Sequence, residues 1–307
     1  MHSPASSIPE SDLPIYLQKE KWSRRGAVVA KRTQQIGHFC NLPYILWGPK
    51  STDTCPTTFT NTCTVDNTFM ALLYLYNKYL DVRTFIDSAA NVRIEQVRHV
   101  IALLNSEGGP KANAARYYWV RSVLGDSIDA TGCAYNLWGE EHVKSLEPLV
   151  DMSSDYLVDQ RCVKDNFSSH STLRVFGSIH GTVEDAVIHI NHGGFTMTRC
   201  PTCYNATQPF FKKPARALPF LIFGVGAPLS VNKMPRKITV LGDGYELVAC
   251  SVHENSHWRL VFIVQNVLYE YDGKENTTII KFNPKKGNPL VSMCYYVKAS
   301  HPISQPA

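Results

Sequence analysis

The sequence predicts an α+β fold, with a helical half followed by an antiparallel β half. The first half contains long segments whose apolar residues recur at helical spacing. The second half contains short β-branched and aromatic runs, many of them separated by Gly, Asn or Pro. Because helices and strands occur in successive runs and do not alternate, the pattern is typical of α+β architecture. We expect the helical half over about 63–160 and the β half over about 170–300.

The strongest helical segment is VDNTFMALLYLYNKYL, which follows the Thr-rich loop 51–62 and places Cys63 where that loop enters a buried helix. Asp66 lies in the first turn, where a negative charge suits the helix dipole. The amphipathic segment VRIEQVRHVIALLN ends at a Gly-Gly-Pro breaker. The segment ANAARYYWVRSVL and residues 135–150 are further predicted helices.

Eight short runs are predicted strands of the β half. They are STLRVFGSI, FLIFGV, ITVLG, ELVACSVH, WRLVFIVQ, VLYEYDG, TTIIKF and MCYYVKA. Residues 41–300 are expected to form one domain. Residues 1–40, which contain Ser and Pro and then scattered basic residues, are expected to form a tail or peripheral segment.

Composition narrows the class of protein. The chain has 307 residues, 44% of them hydrophobic, which excludes pervasive disorder. A net charge of +5 is too small to indicate a nucleic-acid-binding protein. No apolar run reaches the roughly 20 residues of a membrane helix, and the N-terminus does not resemble a secretory signal. Nine cysteines, an odd number, favour reduced thiols, a metal site or a catalytic cysteine over a disulfide framework. We therefore expect a cytoplasmic or nuclear protein with no membrane partner.

Among the cysteines, Cys63 is the candidate nucleophile because it precedes a long apolar helix. The positive end of the helix dipole and the unpaired N–H groups of the first turn favour the thiolate, which is the attacking species. Cys250 and Cys294 lie in strand patterns typical of core positions, and Cys55 lies in a loop with no helix directly after it.

A base and a carboxylate are predicted in the segment 244–273, which indicates three antiparallel strands joined by the turns HENSH and QN. His257 opens the second strand and Asp272 closes the third, so their side chains are expected to meet. A carboxylate on one ring nitrogen fixes the histidine tautomer and leaves the other nitrogen for a thiol. His253, in the same turn, is the competing histidine.

These residues resemble the two signature boxes of the ubiquitin-specific proteases. The tripeptide Asn61-Thr62-Cys63 before an apolar helix is similar to their cysteine box. The strand Tyr245-Glu246-Leu247, the pair His257-Trp258 and the strand end Tyr269-Glu270-Tyr271-Asp272 resemble their histidine box. A similar divergent pattern occurs in the ubiquitin-specific-peptidase-like SUMO isopeptidases and in domains of transposon-borne proteins.

The resemblance implies a papain-like cysteine peptidase fold, with Cys63 as nucleophile, His257 as general base and Asp272 as the residue that orients it. It implies no cofactor for catalysis. Thr58 occupies the position that the family fills with an oxyanion-binding Asn. Thr58, Asn61 or the backbone N–H of Cys63 alone are therefore the candidate oxyanion donors.

A metal site is a separate prediction. The motif Cys200-Pro-Thr-Cys203 is typical of half of a tetrahedral zinc site, and Cys162 and His170 precede it at a suitable interval. Other candidate ligands are His180 and the pair His189 and His192. Two reduced cysteines in a turn would leave the same pattern. Because ubiquitin-specific proteases often carry a zinc finger between their boxes, the resemblance favours a structural zinc that pins a β-hairpin.

The function implied by the resemblance is a thiol-dependent isopeptidase that cleaves the C-terminal Gly–Lys linkage of ubiquitin or a SUMO-like protein, the two not being distinguished. The alternative is a catalytically weak or inactive peptidase fold that binds such a protein. A nucleic-acid-associated protein ranks last, because the basic N-terminal residues are not interleaved with a clear aromatic stacking platform.

Overall fold

The chain begins with helices and continues into a large sheet. The computed structural model describes residues 37–39, 41–46, 58–107, 112–126, 134–153, 157–162, 164–165, 168–172, 179–191, 199–205, 208–212, 218–275, 278–283, 287 and 289–299. The helices that come first are α1 (Cys63–Lys78), α2 (Leu80–Ser88), α3 (Val92–Glu107) and α4 (Ala112–Tyr118). A π-helical turn, Trp119–Val123, continues α4. The predicted helices at 63, 92 and 112 are therefore confirmed.

Helix α1 lies at the centre of the core. Its first thirteen residues, from Cys63 to Leu75, are all buried. Phe69 meets Trp119 edge-to-face at 5.5 Å on the helical side, and Tyr74 packs 4.8 Å from Phe262 on the sheet side. Burying the apolar residues of α1 on both faces stabilises the fold, so α1 lies between the other helices and the sheet.

The β half forms an eight-stranded sheet. Its strands are β5 (Ile179–His180), β7 (Phe220–Val225), β8 (Lys237–Val240), β9 (Asp243–Glu254), β10 (His257–Val264), β11 (Val267–Tyr271), β12 (Ile280–Lys281) and β13 (Leu290–Lys298). Seven strands follow the order β12-β11-β10-β9-β13-β7-β5, and the eighth, β8, pairs with β9. All pairs are antiparallel except β5 with β7. Fold class and order of halves are thus confirmed as α+β.

Three strands form a smaller sheet in the order β4-β3-β6. They are β3 (Leu157–Arg161), β4 (Ser168–Thr172) and β6 (Gln208–Lys212). The predicted strand STLRVFGSI is described only at its ends, in β4 and β5, and residues 173–178 lie outside the described residues. The β half also contains one helix, α5 (Val183–Asn191).

The helix predicted over 135–150 is wrong in its first residues. Instead, β2 (Ala134–Asn136) pairs in parallel with β1 (Thr58–Thr60). A π-helical turn, His142–Leu146, and a 3-10 segment, Glu147–Ser153, follow. The backbone of β1 offers strand partners that no local pattern reveals, and this tertiary pairing overrides the helical spacing.

One residue of the predicted N-terminal segment packs in the core. A 3-10 turn, Gly37–Phe39, carries Phe39 into the core, where it packs against Tyr74 and Phe262 at 5.6 and 5.1 Å. Residues 1–36 of the predicted tail lie outside the described residues.

Candidate active site

Cys63 is the first residue of α1 and is 8% exposed. Asn61 precedes it with a φ of 54°, a left-handed conformation that Asn tolerates better than most residues. That turn links β1 to the helix, and the amide of Leu137 donates to the carbonyl of Thr60 at 2.9 Å. The thiol therefore lies at a fixed helix N-terminus, as predicted.

His257 begins β10, and its Nε2 lies 2.9 Å from Oδ1 of Asp272, the residue that follows β11. The predicted encounter of these two side chains is confirmed. The same Asp272 oxygen accepts the backbone N–H groups of Lys274 and Glu275 at 3.0 and 3.2 Å. Because these two donors belong to the turn after β11, that turn fixes the orientation of the Asp272 carboxylate towards the His257 ring.

The thiol of Cys63 lies close enough to the imidazole of His257 to raise the pKa of the ring. Since Nε2 faces Asp272, the nitrogen available to the thiol is Nδ1. Burial lowers the pKa of His257, but the hydrogen bond to Asp272 and then the nearby Cys63 thiol, with the charges of both groups, outweigh it and raise the pKa to about 9. The His257 side chain keeps 20% of its surface exposed, whereas that of Asp272 keeps 3%. The His257 ring can thus hold a proton near neutral pH beside the Cys63 thiol.

Asp272 is held from the other side by the segment 41–46. The hydroxyl of Tyr44 donates to the backbone carbonyl of Asp272 at 3.0 Å, and the hydroxyl of Tyr271 donates to that of Ile45 at 2.6 Å. Burial, opposed by the hydrogen bond and charge of His257, leaves the pKa of Asp272 below its usual value. The carboxylate therefore stays ionised next to the imidazole.

A buried ion pair fixes the first turn of α1. Arg116 binds Asp66 with two hydrogen bonds of 2.8 Å, and Thr62 donates to the same carboxylate at 2.5 Å. Arg116 also donates to the carbonyl of Leu46 at 2.6 Å, which joins α4 to the segment that supports Asp272. From the sequence, Asp66 was explained only by the favourable interaction of its charge with the helix dipole. The role of Arg116 was not predicted, and the sequence offers one signal for it, a cation in an alanine-rich helical segment.

The two predicted oxyanion residues lie in the strand and turn just before Cys63. Thr58 lies in β1, opposite Ala134. The side-chain amide of Asn61 donates to Oδ1 of Asn136 at 2.9 Å. One N–H of the Asn61 amide thus holds β2, and the backbone N–H groups at the start of α1 are the donors that need no such shared role. The roles of Thr58 and Asn61 stay predictions.

Three of the four predicted metal ligands come together. The sulfur atoms of Cys162, Cys200 and Cys203 all lie within 4.8 Å of one another, and those of Cys162 and Cys203 are 3.4 Å apart. Sulfur atoms around a tetrahedral zinc, at about 2.3 Å from the metal, lie at comparable separations. His170 belongs to β4, opposite Asp159, and its side chain lies outside the description. The three thiols therefore fit a soft metal such as zinc.

The alternative histidine ligands lie elsewhere. His180 in β5 and His189 in α5 have ring centroids 5.1 Å apart, and His192 lies outside the described residues. The thiol of Cys200 hydrogen-bonds to the carboxylate of Asp165 at 3.8 Å, but within the described part of the chain no histidine or carboxylate lies within 4.8 Å of all three sulfur atoms. Cys250 and Cys294 are buried neighbours in β9 and β13, as their strand patterns predicted.

Comparisons with known proteins give weak likenesses only. No family model matches the chain, and no curated protein matches it. A chain of the SAGA Ubp8/Sgf11/Sus1/Sgf73 DUB module has 8% identity and a TM-score of 0.44, over 90% of this chain and 72% of that one. The papain-like protease of MERS coronavirus has 12% identity and a TM-score of 0.43, over 83% and 69%. The Neurospora crassa Pan2 catalytic unit, with protease and nuclease domains, has 12% identity and a TM-score of 0.45, over 85% and 58%.

These TM-scores lie below 0.5, so the likenesses assign no function to the chain. The function has to be inferred from the geometry of the site. In the described part of the chain, no helix has the length and apolar character of a membrane span.

Proposed function

We propose that this chain is a thiol-dependent isopeptidase that hydrolyses the C-terminal Gly–Lys linkage of ubiquitin or a ubiquitin-like protein. The observation that carries the proposal is the placement of the Cys63 thiol beside the His257 ring, which is hydrogen-bonded to Asp272. A thiol at a helix N-terminus, an imidazole and a buried carboxylate in this order are the groups that nucleophilic cysteine chemistry requires.

In the proposed reaction, the Cys63 thiolate attacks the carbonyl carbon of the terminal glycine. Backbone N–H groups at the start of α1 stabilise the negative oxygen that develops. His257 gives its proton to the leaving lysine amine, and a thioester remains on Cys63. His257 then takes a proton from water, which attacks the thioester and releases the carboxylate and the thiolate. Asp272 keeps the ring oriented throughout. No metal or cofactor takes part in these steps.

The choice of a ubiquitin-like substrate rests on the resemblance of the Cys63 and His257–Asp272 segments to the cysteine and histidine boxes. Ubiquitin and SUMO-like proteins both end in a flexible Gly-Gly tail, so both belong in the test.

Labelling with electrophilic probes tests the proposal. Ubiquitin and SUMO carrying a C-terminal electrophile should form a covalent adduct with the wild-type chain at Cys63. The adduct should disappear in Cys63→Ala and fall by at least about a hundredfold in rate in His257→Ala, because the thiolate loses its partner. His253→Ala, which changes the neighbouring histidine, should still react. Normal cleavage of ubiquitin and SUMO conjugates by Cys63→Ala would defeat the proposal.

The second candidate is a fold that binds a ubiquitin-like protein without cutting it. The hydrogen bond from Asn61 to Asn136 favours it, because it occupies one of the two N–H donors of that amide and ties the group to β2. Losing one such donor costs roughly two to three orders of magnitude in rate. Measurable affinity for ubiquitin or SUMO, together with no covalent adduct, would select this candidate.

We also propose that Cys162, Cys200 and Cys203 bind a structural zinc ion, with His170 as the predicted fourth ligand. The mutual distances of the three thiols support it. The metal would connect the end of β3 to the turn that holds Cys200 and Cys203. A zinc held by four protein ligands offers no open position to water and so has no catalytic part.

A further inference from the structure

The segment 137–145 wraps around the start of α1. The hydroxyl of Thr64 donates to the carbonyl of Leu137 at 3.3 Å, and the hydroxyl of Ser145 donates to the carbonyl of Thr64 at 2.7 Å. The side chains of Thr64 and Ser145 are both almost fully buried. The segment is therefore fixed to the first turn of the helix that carries Cys63.

Within this segment, Glu141 is buried, with 2% of its surface exposed. One carboxylate oxygen accepts the hydroxyl of Ser251, and the other accepts that of Ser292 at 2.5 Å. The side-chain amide of Asn67 donates to the hydroxyl oxygen of Ser251 at 3.0 Å and lies close enough to lower the pKa of Glu141. Two hydroxyls from separate strands thus bind one carboxylate, and Ser251 links the amide of Asn67 to it.

These donors belong to the elements that carry the proposed nucleophile and base. Asn67 lies one helical turn after Cys63 in α1. Ser251 lies in β9 directly opposite Leu260 of β10, the strand that His257 opens. Ser292 lies in β13, on the other side of β9. Glu141 therefore joins the helix of the thiol to the strands that hold the imidazole.

Burying a carboxylate costs free energy, which indicates that Glu141 is present for the geometry of its hydrogen bonds. Burial, opposed by the hydrogen bonds from Ser251 and Ser292 and by the nearby amide of Asn67, raises the pKa of Glu141 to about 7. An apolar side chain of similar volume would stabilise such a position at least as well. It would not, however, impose a fixed distance and angle between a helix and two strands.

We propose that Glu141 is a positioning residue of the site, which sets the placement of Cys63 relative to His257 through Asn67, Ser251 and Ser292. The inference rests on the proposed function, because it assumes that the Cys63–His257 contact is the reactive one. In the hydrogen bonds described above, Glu141 contacts neither the Cys63 nor the His257 side chain.

The test is the rate at which iodoacetamide alkylates Cys63, measured by peptide mass mapping from pH 5 to 10. In Glu141→Ala, the rate near neutral pH should fall about ten- to a hundredfold, since misplacement by about 1 Å costs that much. The pH dependence of the rate should change as well, because the wild-type profile depends on the placement of Cys63 beside His257. Glu141→Gln, which keeps the volume and can hydrogen-bond to both serines, should restore most of the rate.

The control variant is Glu140→Ala, because the adjacent Glu140 side chain is 76% exposed and pairs only with His142 among the described contacts. It should match wild type in rate and profile. A folded Glu141→Ala chain with the wild-type rate and profile would overturn the inference. Should Glu141→Ala fail to fold, Ser292→Ala gives the test: it removes one of the donors, and an unchanged profile in that variant would overturn the inference equally.

Failure of the proposed function looks different. In that case the wild-type chain itself would alkylate at Cys63 no faster than an ordinary cysteine, and His257→Ala would change nothing. A fast wild-type reaction that depends on His257 but not on Glu141 would reject the positioning role alone.

Discussion

At the scale of single residues, His257 shows how two opposing effects decide the chemistry. Burial alone would keep the ring neutral, but the carboxylate of Asp272 at 2.9 Å and the thiol of Cys63 reverse that preference. The pairing of His257 with Asp272 could be predicted, because the start of one strand and the end of the next lie together in any meander. The supporting hydroxyl of Tyr44 could not, since it comes from a segment 228 residues away.

The raised pKa of His257 predicts a pH-dependent stability, best measured in Cys63→Ser, where no thiol proton can compensate. Between pH 6.5 and the pKa that Asp272 gives the ring, which lies below the wild-type value of about 9 once the thiol is gone, the folded chain holds a proton that the unfolded chain has lost. The free energy of unfolding should therefore fall as pH rises through this window, by up to about 1.4 kcal/mol per pH unit. Urea unfolding at several pH values measures it.

Replacing His257 by Gln in the same background should remove that slope. His253→Gln should retain it, because burial and then the proximity of His257 lower the pKa of His253 and move its own effect below pH 6.5. A flat or rising stability from pH 6.5 to 9 in the Cys63→Ser chain would contradict the assignment.

At the scale of elements, the start of α1 depends on residues far apart in the chain. Its length and its burial were predicted from apolar residues that recur at helical spacing. The ion pair between Asp66 and Arg116, and the pairing of β1 with β2, were not predicted. Both depend on which segments the fold brings together, and a charged residue in a local pattern does not reveal its partner.

Breaking this ion pair should destabilise the chain strongly. Arg116→Met leaves Asp66 buried without its partner, which typically costs about 3–5 kcal/mol of unfolding free energy. Chemical denaturation measures the loss. Arg121→Met, at an exposed position in the following turn, should cost less than about 0.5 kcal/mol. Adding Asp66→Asn to Arg116→Met should recover part of the loss, and strict additivity of the two changes would contradict a direct coupling.

At the scale of the whole molecule, the three thiols join distant segments, since Cys162 and Cys203 are 41 positions apart in the sequence. The purified chain should contain about one zinc per molecule, and a chelator should lower its melting temperature. Cys203→Ser should lose the metal, whereas Cys250→Ser, at a cysteine in the large sheet, should keep it. Equal zinc content in Cys203→Ser and wild type would reject the site.

The sequence by itself determined the α+β class, the helix that begins at Cys63, the three-strand meander and the meeting of His257 with Asp272. These follow from periodicity and turn chemistry, which act over a few residues. Only the tertiary structure decided that Arg116 neutralises Asp66, that β2 replaces a predicted helix, and that Glu141 joins α1 to the sheet. Those contacts depend on desolvation and on partners from distant segments, and such energies are set by the assembled core.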